Sequence, residues 1–549
     1  MSFKGTFGVA LSVLLIHVFA SLHAQPTRWQ QEVHYEMDID MDEPNHQFAG
    51  EQELMYINHS PDTLSEVFYH LYFNAFQPES MMDTRSRDIL DPDRRVRDRI
   101  YHLEEDEIGY HKISSLTMNG MSTDFEVSET LLKVRLPSVI LPGDTVRFNM
   151  EFDSQVPLQI RRSGRDSREG IDFSMTQWFP KMANYDYRGW HTSPYVAREY
   201  YAPFGSFDVN ITMDSEYTIG ATGTLQNANE IGHGYSDANP TTDRLTWHFY
   251  AENIHNFAWA ADPDFVHYKT QTNKGVNVHI IYQEDGNPAV QNWEMLGEYT
   301  ARSIEFMSDN YGEYPYPQFT VIQGGDGGME YPMITLITGH RSLGSLVGVT
   351  AHELAHMWYY GTLGINESAY PWMDEGFTSY TSSELMKYLF DQPGDPQIRS
   401  YYSYLYLKNL GLEEPLTTHA DRYKTNSAYS TASYSMGAMF LNQLGYIVGE
   451  ENFKNGLKRF FNTWKFKHPN NYDFIREIEK ESNIELDWFI EDWIQSTKDI
   501  DYAIDHVDNQ EDKTVVTLER KGDHLMPVDL FVTYEDGSMG VHTIPMHLM

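Results

Sequence analysis

His352-Glu353-Leu354-Ala355-His356 opens a stretch that closes at Glu375, 19 residues after its second histidine, inside Trp372-Met373-Asp374-Glu375-Gly376-Phe377. Thr350 to Trp358 holds good helix formers and neither Pro nor Gly, so it predicts a helix. Histidines at i and i+4 then lie on one face, one turn apart. That spacing lets two imidazoles hold one zinc ion. Gly361 sits where this helix can end, and Pro371 with the acidic pair Asp374-Glu375 opens the next one. Glu375 is then a third ligand. Glu353 cannot easily ligate the ion held by its neighbour His352, but it can take a proton from an attacking water. Three protein ligands leave a fourth position open, where zinc activates water and polarises a carbonyl. The competing reading is a buried histidine pair in a core helix, and Glu375 at its place argues against it.

Two segments flank this centre. Upstream lies Gly327-Gly328-Met329-Glu330-Tyr331-Pro332, and downstream Tyr434-Ser435-Met436-Gly437, with Tyr429 five residues before Tyr434. His191, His255 and His340 have no partner at ligand spacing and are assigned to packing or the surface.

The rest of the chain sets the frame. With 549 residues, several domains are expected. Glu32 to Met41 and Phe207 to Met213 alternate polar and apolar residues, the pattern of half-buried strands. Residues 25–265 therefore predict a large antiparallel β domain. Asp83 to Glu107, rich in both arginine and acid, reads as a solvated surface loop. Residues 266–500 read as α-rich, with helices over Val290–Tyr311, Glu451–Phe461 and Tyr472–Ser482. From Asp501 strands return over Thr514–Arg520, Val528–Tyr534 and Val541–Met546. Residues 501–549 are thus a partial β module.

Composition excludes several functions. The net charge of −40 repels phosphate backbones, so nucleic acid is not an expected partner. There is no cysteine, which removes disulfides, zinc ribbons and thiol nucleophiles, so a metal site must use His, Asp and Glu. Lys4, the apolar run Val9–Ala20 and Ser21-Leu22-His23-Ala24 read as an export signal over residues 1–24. The run is short for a membrane span. A periplasmic or secreted protein with no stable membrane insertion after cleavage is expected. The oligomeric state is not readable.

The HExxH motif, Glu375 19 residues on and Gly-Gly-Met-Glu-Tyr together resemble the zinc aminopeptidases of the M1 family, which include aminopeptidase N and leukotriene A4 hydrolase. The resemblance implies a multidomain α+β protein: a saddle-like β domain, a thermolysin-like catalytic domain and a C-terminal β module. It implies one zinc per chain on His352, His356 and Glu375, with Glu353 as the base. Glu330 would bind the free α-amino group of a peptide within the segment Gly327, Gly328, Met329 and Tyr331. Tyr434 would stabilise the oxyanion, and Tyr429 would be a second cleft tyrosine. Gln177 in Thr176-Gln177-Trp178 is the nearest sequence candidate for a second amine contact. Tyr331 stands where the family has asparagine, and Asp374 likewise. The implied reaction is removal of the first residue of a peptide with a free amino terminus. The alternatives are a zinc endopeptidase with an open cleft and a non-catalytic scaffold on the same fold.

Overall fold

A computed structural model describes residues 28–545 apart from Ala197. The expected export signal, residues 1–24, lies outside them. Strand Glu32–Asp42 buries Val33, Tyr35, Met37, Ile39 and Met41 and turns the residues between them outward, as the alternation predicts. It pairs antiparallel with Gln47–Ile57 and forms part of an eight-stranded sheet. One pair departs from the antiparallel expectation. Glu32–Asp42 runs parallel to Gly205–Asp214, with Val33 opposite Gly205 and Ile39 opposite Ile211. Between these strands the chain builds a second, four-stranded sheet that includes Leu64–His70 and Leu131–Ile140. Such a long crossover lets the chain re-enter beside the first strand in the same direction.

The stretch Asp83 to Glu107 is not a solvated loop. Helix Met81–Asp88 is capped by Ser80, whose Oγ accepts from the Asp83 amide at 3.1 Å. Met82, Val96 and Ile100 are buried in a cluster with Ile322, Tyr331 and Ile334 of the following domain. Arg95 bonds Asp93 and reaches Asp326 at 3.5 Å. Apart from the buried Asp83, most of the charges lie on the outer face of a segment anchored by isolated apolar residues, so composition alone misread it.

A five-stranded mixed sheet begins at Phe265. Its order is Phe265–Gln271, Asn277–Gln283, Gln318–Gln323, Ile334–Ile337 and, at the edge, Gly328–Tyr331. Helix Gln291–Tyr311 buries Trp293, Leu296, Thr300, Ile304, Met307 and Tyr311, a three-and-four spacing that faces one side. It packs on both the sheet and helix Leu343–His356. That helix does not stop cleanly near Gly361. It widens into a π-type turn, Met357–Thr362, before an extended Leu363. Pro371 then starts helix Pro371–Phe390, where its missing N–H costs nothing. The C-terminal residues form two separate hairpins, Tyr502–Asn509 with Thr514–Arg520 and Val528–Thr533 with Met539–Ile544.

Candidate active site

Two helices and one edge strand converge on the predicted centre. His352 and His356 project from one face of helix Leu343–His356, and Glu375 comes from the first turn and a half of Pro371–Phe390. His352 Nε2 lies 3.2 Å from Glu375 Oε2 and 3.3 Å from His356 Nε2, which is itself 3.4 Å from Glu375 Oε2. A tetrahedral zinc with bonds of about 2.0–2.1 Å requires ligand atoms roughly 3.3 Å apart. The three atoms form that triangle, so the residues fit a zinc ion.

His356 is held from behind. Its Nδ1 is 2.6 Å from Asp374 Oδ1, which fixes the ring so that Nε2 faces the ligand triangle. His356 and Asp374 are both fully buried, and the carboxylates Asp374, Glu330 and Glu375 around His356 outweigh the burial that opposes its charge. Burial pushes the Asp374 carboxyl up to about 7 against the pull of His356.

Glu353 lies one residue from the first ligand and is buried. A Cβ on Gly328 would stand 2.4 Å from Glu353 Oε1, so any larger residue in the edge strand must displace this carboxylate. Burial and then the neighbouring Glu330 push the Glu353 carboxyl well above its usual range. A divalent cation on the three ligands acts in the opposite direction. Tyr434 stacks on His352 at 5.7 Å between ring centres, and its hydroxyl donates to Glu375 Oε1. It rides on a π-type turn, Thr431–Met436. The next residue, Gly437, meets Gly376 so closely that a Cβ on Gly376 would lie 2.7 Å from the Gly437 Cα. This close crossing brings Tyr434 to Glu375.

Glu330, on the edge strand, approaches His356 from its Nδ1 side. Its Oε1 lies 3.9 Å from His356 Nδ1 and has no hydrogen-bond partner. Two carboxylates that the sequence reading did not single out join it. One oxygen each of Glu199, Glu330 and Glu367 lies within 4.8 Å of the others. Glu199 takes the Arg162 guanidinium and Glu367 Oε2 accepts from the Tyr200 amide at 2.8 Å. Their other oxygens, Glu199 Oε2 and Glu367 Oε1, are buried and unpartnered. Both glutamates sit in loops without periodicity or motif, so only the fold could reveal them. Gln177 is placed differently: its Oε1 accepts from the buried Lys181 at 2.7 Å, and the β-rich domain's carboxylate beside Glu330 is Glu199. Burial pulls Lys181 down to about 7.

The remaining predicted residues line this region. Gly327 takes a φ of +87°, which turns the chain into the edge strand. Met329 is buried and its sulfur accepts from Arg162. Tyr331 is fully buried and tilts against Tyr200 at 6.5 Å, so it is a core residue with an unpartnered hydroxyl. Tyr429 is buried with an unpartnered hydroxyl, and Arg198 lies 4.0 Å over its ring. His255 is buried against the Tyr360 carbonyl, while His191 pairs with Asp186 and His340 with Asp285.

Residues 296–493 match the family model described as the peptidase family M1 domain. Over these residues, about a third of its length, the chain is similar to the M1 peptidase domain. "Probable aminopeptidase 1" of Saccharolobus solfataricus is 28% identical over 155 residues, 27% of this chain and 19% of that protein. Human aminopeptidase N is 28% identical over 162 residues, 27% of this chain and 16% of that protein. These matches span about a fifth of the length of the curated relatives. The crystal structure of an M1 zinc metallopeptidase from Deinococcus radiodurans superposes with a TM-score of 0.58 at 17% identity, covering 85% of this chain and 93% of the other. A mutant of that metallopeptidase has been solved bound to a Tyr-Ser-Ala substrate. The likeness of fold to that structure thus extends beyond the matched residues over most of the chain.

Proposed function

We propose that this chain is a zinc aminopeptidase that releases the first residue of a peptide with a free amino terminus. The observation that carries the reading is the ligand triangle beside three unpartnered carboxylate oxygens. His352, His356 and Glu375 would hold the zinc, which would lower the pKa of water and polarise the scissile carbonyl. Glu353 takes the proton of the attacking water and delivers it to the leaving amine nitrogen. The Tyr434 hydroxyl turns from Glu375 to the oxygen that gains negative charge in the transition state. Glu330, Glu199 and Glu367 receive the α-ammonium group, which supplies the cation that their free oxygens lack. Burial of this group of acids makes such pairing stronger than in water. The tripeptide bound by the Deinococcus neighbour supports a peptide as substrate.

The test is a panel of aminoacyl fluorogenic substrates with acetylated counterparts, and Glu353→Gln as the inactive control. Free-amine substrates are expected to turn over and blocked ones not. Equal cleavage of both, or cleavage inside a blocked peptide, would replace this reading with an endopeptidase. We further propose that the enzyme works outside the cytoplasm, on the strength of Lys4 and the run Val9–Ala20. Amino-terminal sequencing of the exported protein tests this: a chain starting near Gln25 supports export, and an intact Met1 opposes it.

A further inference from the structure

A cavity of about 270 Å³ opens beside the amine anchor, and Glu199 forms part of its wall. Arg188, Arg198 and Arg422 line the same cavity, with His191 and His419. The arginines are bound only to uncharged groups. Arg198 donates to the Ala420 carbonyl at 3.3 Å and the Asn426 side chain at 2.8 Å, and stacks on Tyr429. Arg188 donates to the Tyr370 hydroxyl. Arg85 stands behind Arg198 with its Nη2 buried and unpartnered.

Among the described residues, none of Arg85, Arg188, Arg198 and Arg422 belongs to an ion pair. Their neighbours on the catalytic side behave differently: Arg161 takes Asp326 and Arg162 takes Glu199. The chain has 80 acidic residues against 40 basic ones, so arginines without acids are unexpected in one place. The two acids among the cavity's lining residues, Glu199 and Asp421, make no contact ion pair with these arginines, although each keeps one buried oxygen unpartnered. Glu199 is held by Arg162, and Asp421 lies 3.7 Å from His419. Burial and the neighbouring Arg198 pull Arg85 down to about 10, more than the nearby Asp421 and Asp91 offset.

We propose that this cavity is a subsite for a carboxylate carried by the peptide substrate. The proposal rests on the aminopeptidase reading and narrows it. Glu199 belongs to both the cavity wall and the amine anchor. A peptide held by its amino group therefore meets the arginines within a few residues. The carboxylate can be the terminal one of a short peptide or an acidic side chain near the amino terminus. Both present the same planar oxygens to guanidinium groups.

The test uses the zinc-loaded Glu353→Gln protein, which should bind peptides without cleaving them. Dissociation constants are measured by calorimetry for matched tripeptides. One arm compares the free acid with the carboxamide. The other places Glu or Gln at each position of the carboxamide. One arm is expected to show at least a tenfold preference for the carboxylate, and that arm identifies its source. The preference should fall to about twofold or less when Arg188→Gln and Arg422→Gln are added. Both arginines are exposed, and Arg422 makes no side-chain hydrogen bond among the described residues, so the fold should persist. Peptides that bind with no carboxylate preference, or a preference that survives both substitutions, overturn the subsite alone. Failure of every free-amine peptide to bind overturns the aminopeptidase reading with it.

Discussion

Asp374 Oδ1 stands 2.6 Å from His356 Nδ1, so the residue just before one predicted ligand orients another. The hydrogen bond fixes which nitrogen faces the metal and raises its basicity. Asp374→Ala is expected to weaken zinc binding by about 10–100-fold. Asp374→Asn keeps an acceptor for Nδ1–H and should lose less. Competition for zinc with a chromogenic chelator measures both. Equal affinity in the parent and Asp374→Ala would show that packing alone holds the ring.

Gly328 faces Glu353 across the cleft floor. A Cβ there meets the carboxylate oxygen at 2.4 Å, and the side chain must swing away from the water it deprotonates. Gly328→Ala is expected to keep zinc and lower kcat by about 100-fold, the scale of a misplaced catalytic group. Metal content and steady-state kinetics on one preparation separate the two effects. Full activity would place the working position of Glu353 elsewhere.

Glu367 contributes one oxygen to the Tyr200 amide and leaves the other free beside Glu330. Burial and the neighbouring Asp374 hold the Glu367 carboxyl well above its usual range, so an ammonium group must draw out its charge, and Glu367→Gln preserves the acceptor for Tyr200 while removing that charge. KM for free-amine peptides should rise several-fold, with a smaller change in kcat, because the ammonium group is bound in both ground and transition states. A fall in kcat alone would remove Glu367 from the amine anchor.

The sequence and the fold divide this site along a physical line. His352, His356 and Glu375 were legible because a metal demands fixed residue types at fixed helical spacing. Glu353 and Glu330 came with the same local motifs. Glu199 and Glu367 were not legible, since each reaches the site from a loop whose direction is set by tertiary contacts. Gln177 shows the same limit from the other side: close in motif, it is turned to Lys181. The alternation of Glu32 to Met41 gave its strand and buried face, yet the parallel pairing with Gly205–Asp214 depends on a crossover that periodicity does not encode. The stretch Asp83 to Glu107 misled because a few buried anchors, Met82, Val96 and Ile100, fix a segment whose composition is that of a solvated loop.

His111 links stability to acid. It is buried in the β-rich domain, stacked on Phe73 at 4.8 Å, with Nδ1 2.6 Å from Ser154 Oγ. Burial pulls it down to about 3 from 6.5. The unfolded chain therefore binds a proton that the folded one refuses between these values. Stability is full above about pH 6.5, falls as the pH drops, and levels off near pH 3. Between pH 6 and 4 this one residue should cost about 2–3 kcal/mol. His111→Gln should flatten the acid slope of the urea midpoint by that amount. An unchanged slope would mean the site opens to water before it protonates.

The crossing of Gly376 and Gly437 joins stability to catalysis. A Cβ on Gly376 would lie 2.7 Å from the Gly437 Cα, and neither backbone can move aside without moving its helix. Gly376→Ala should therefore destabilise the protein by about 1–3 kcal/mol. It should also carry Glu375 away from the Tyr434 hydroxyl and the two histidines, so zinc affinity falls with the thermal midpoint. Gly348 is the control, since it lies in helix Leu343–His356 and a Cβ there would meet only the Met386 methyl at 3.5 Å. Gly348→Ala should stabilise by about 0.5–1 kcal/mol by favouring the helix, without touching zinc. Thermal melts with and without chelator distinguish the cases. If Gly376→Ala lowers stability but leaves zinc affinity intact, the crossing supports the core and not the ligand geometry.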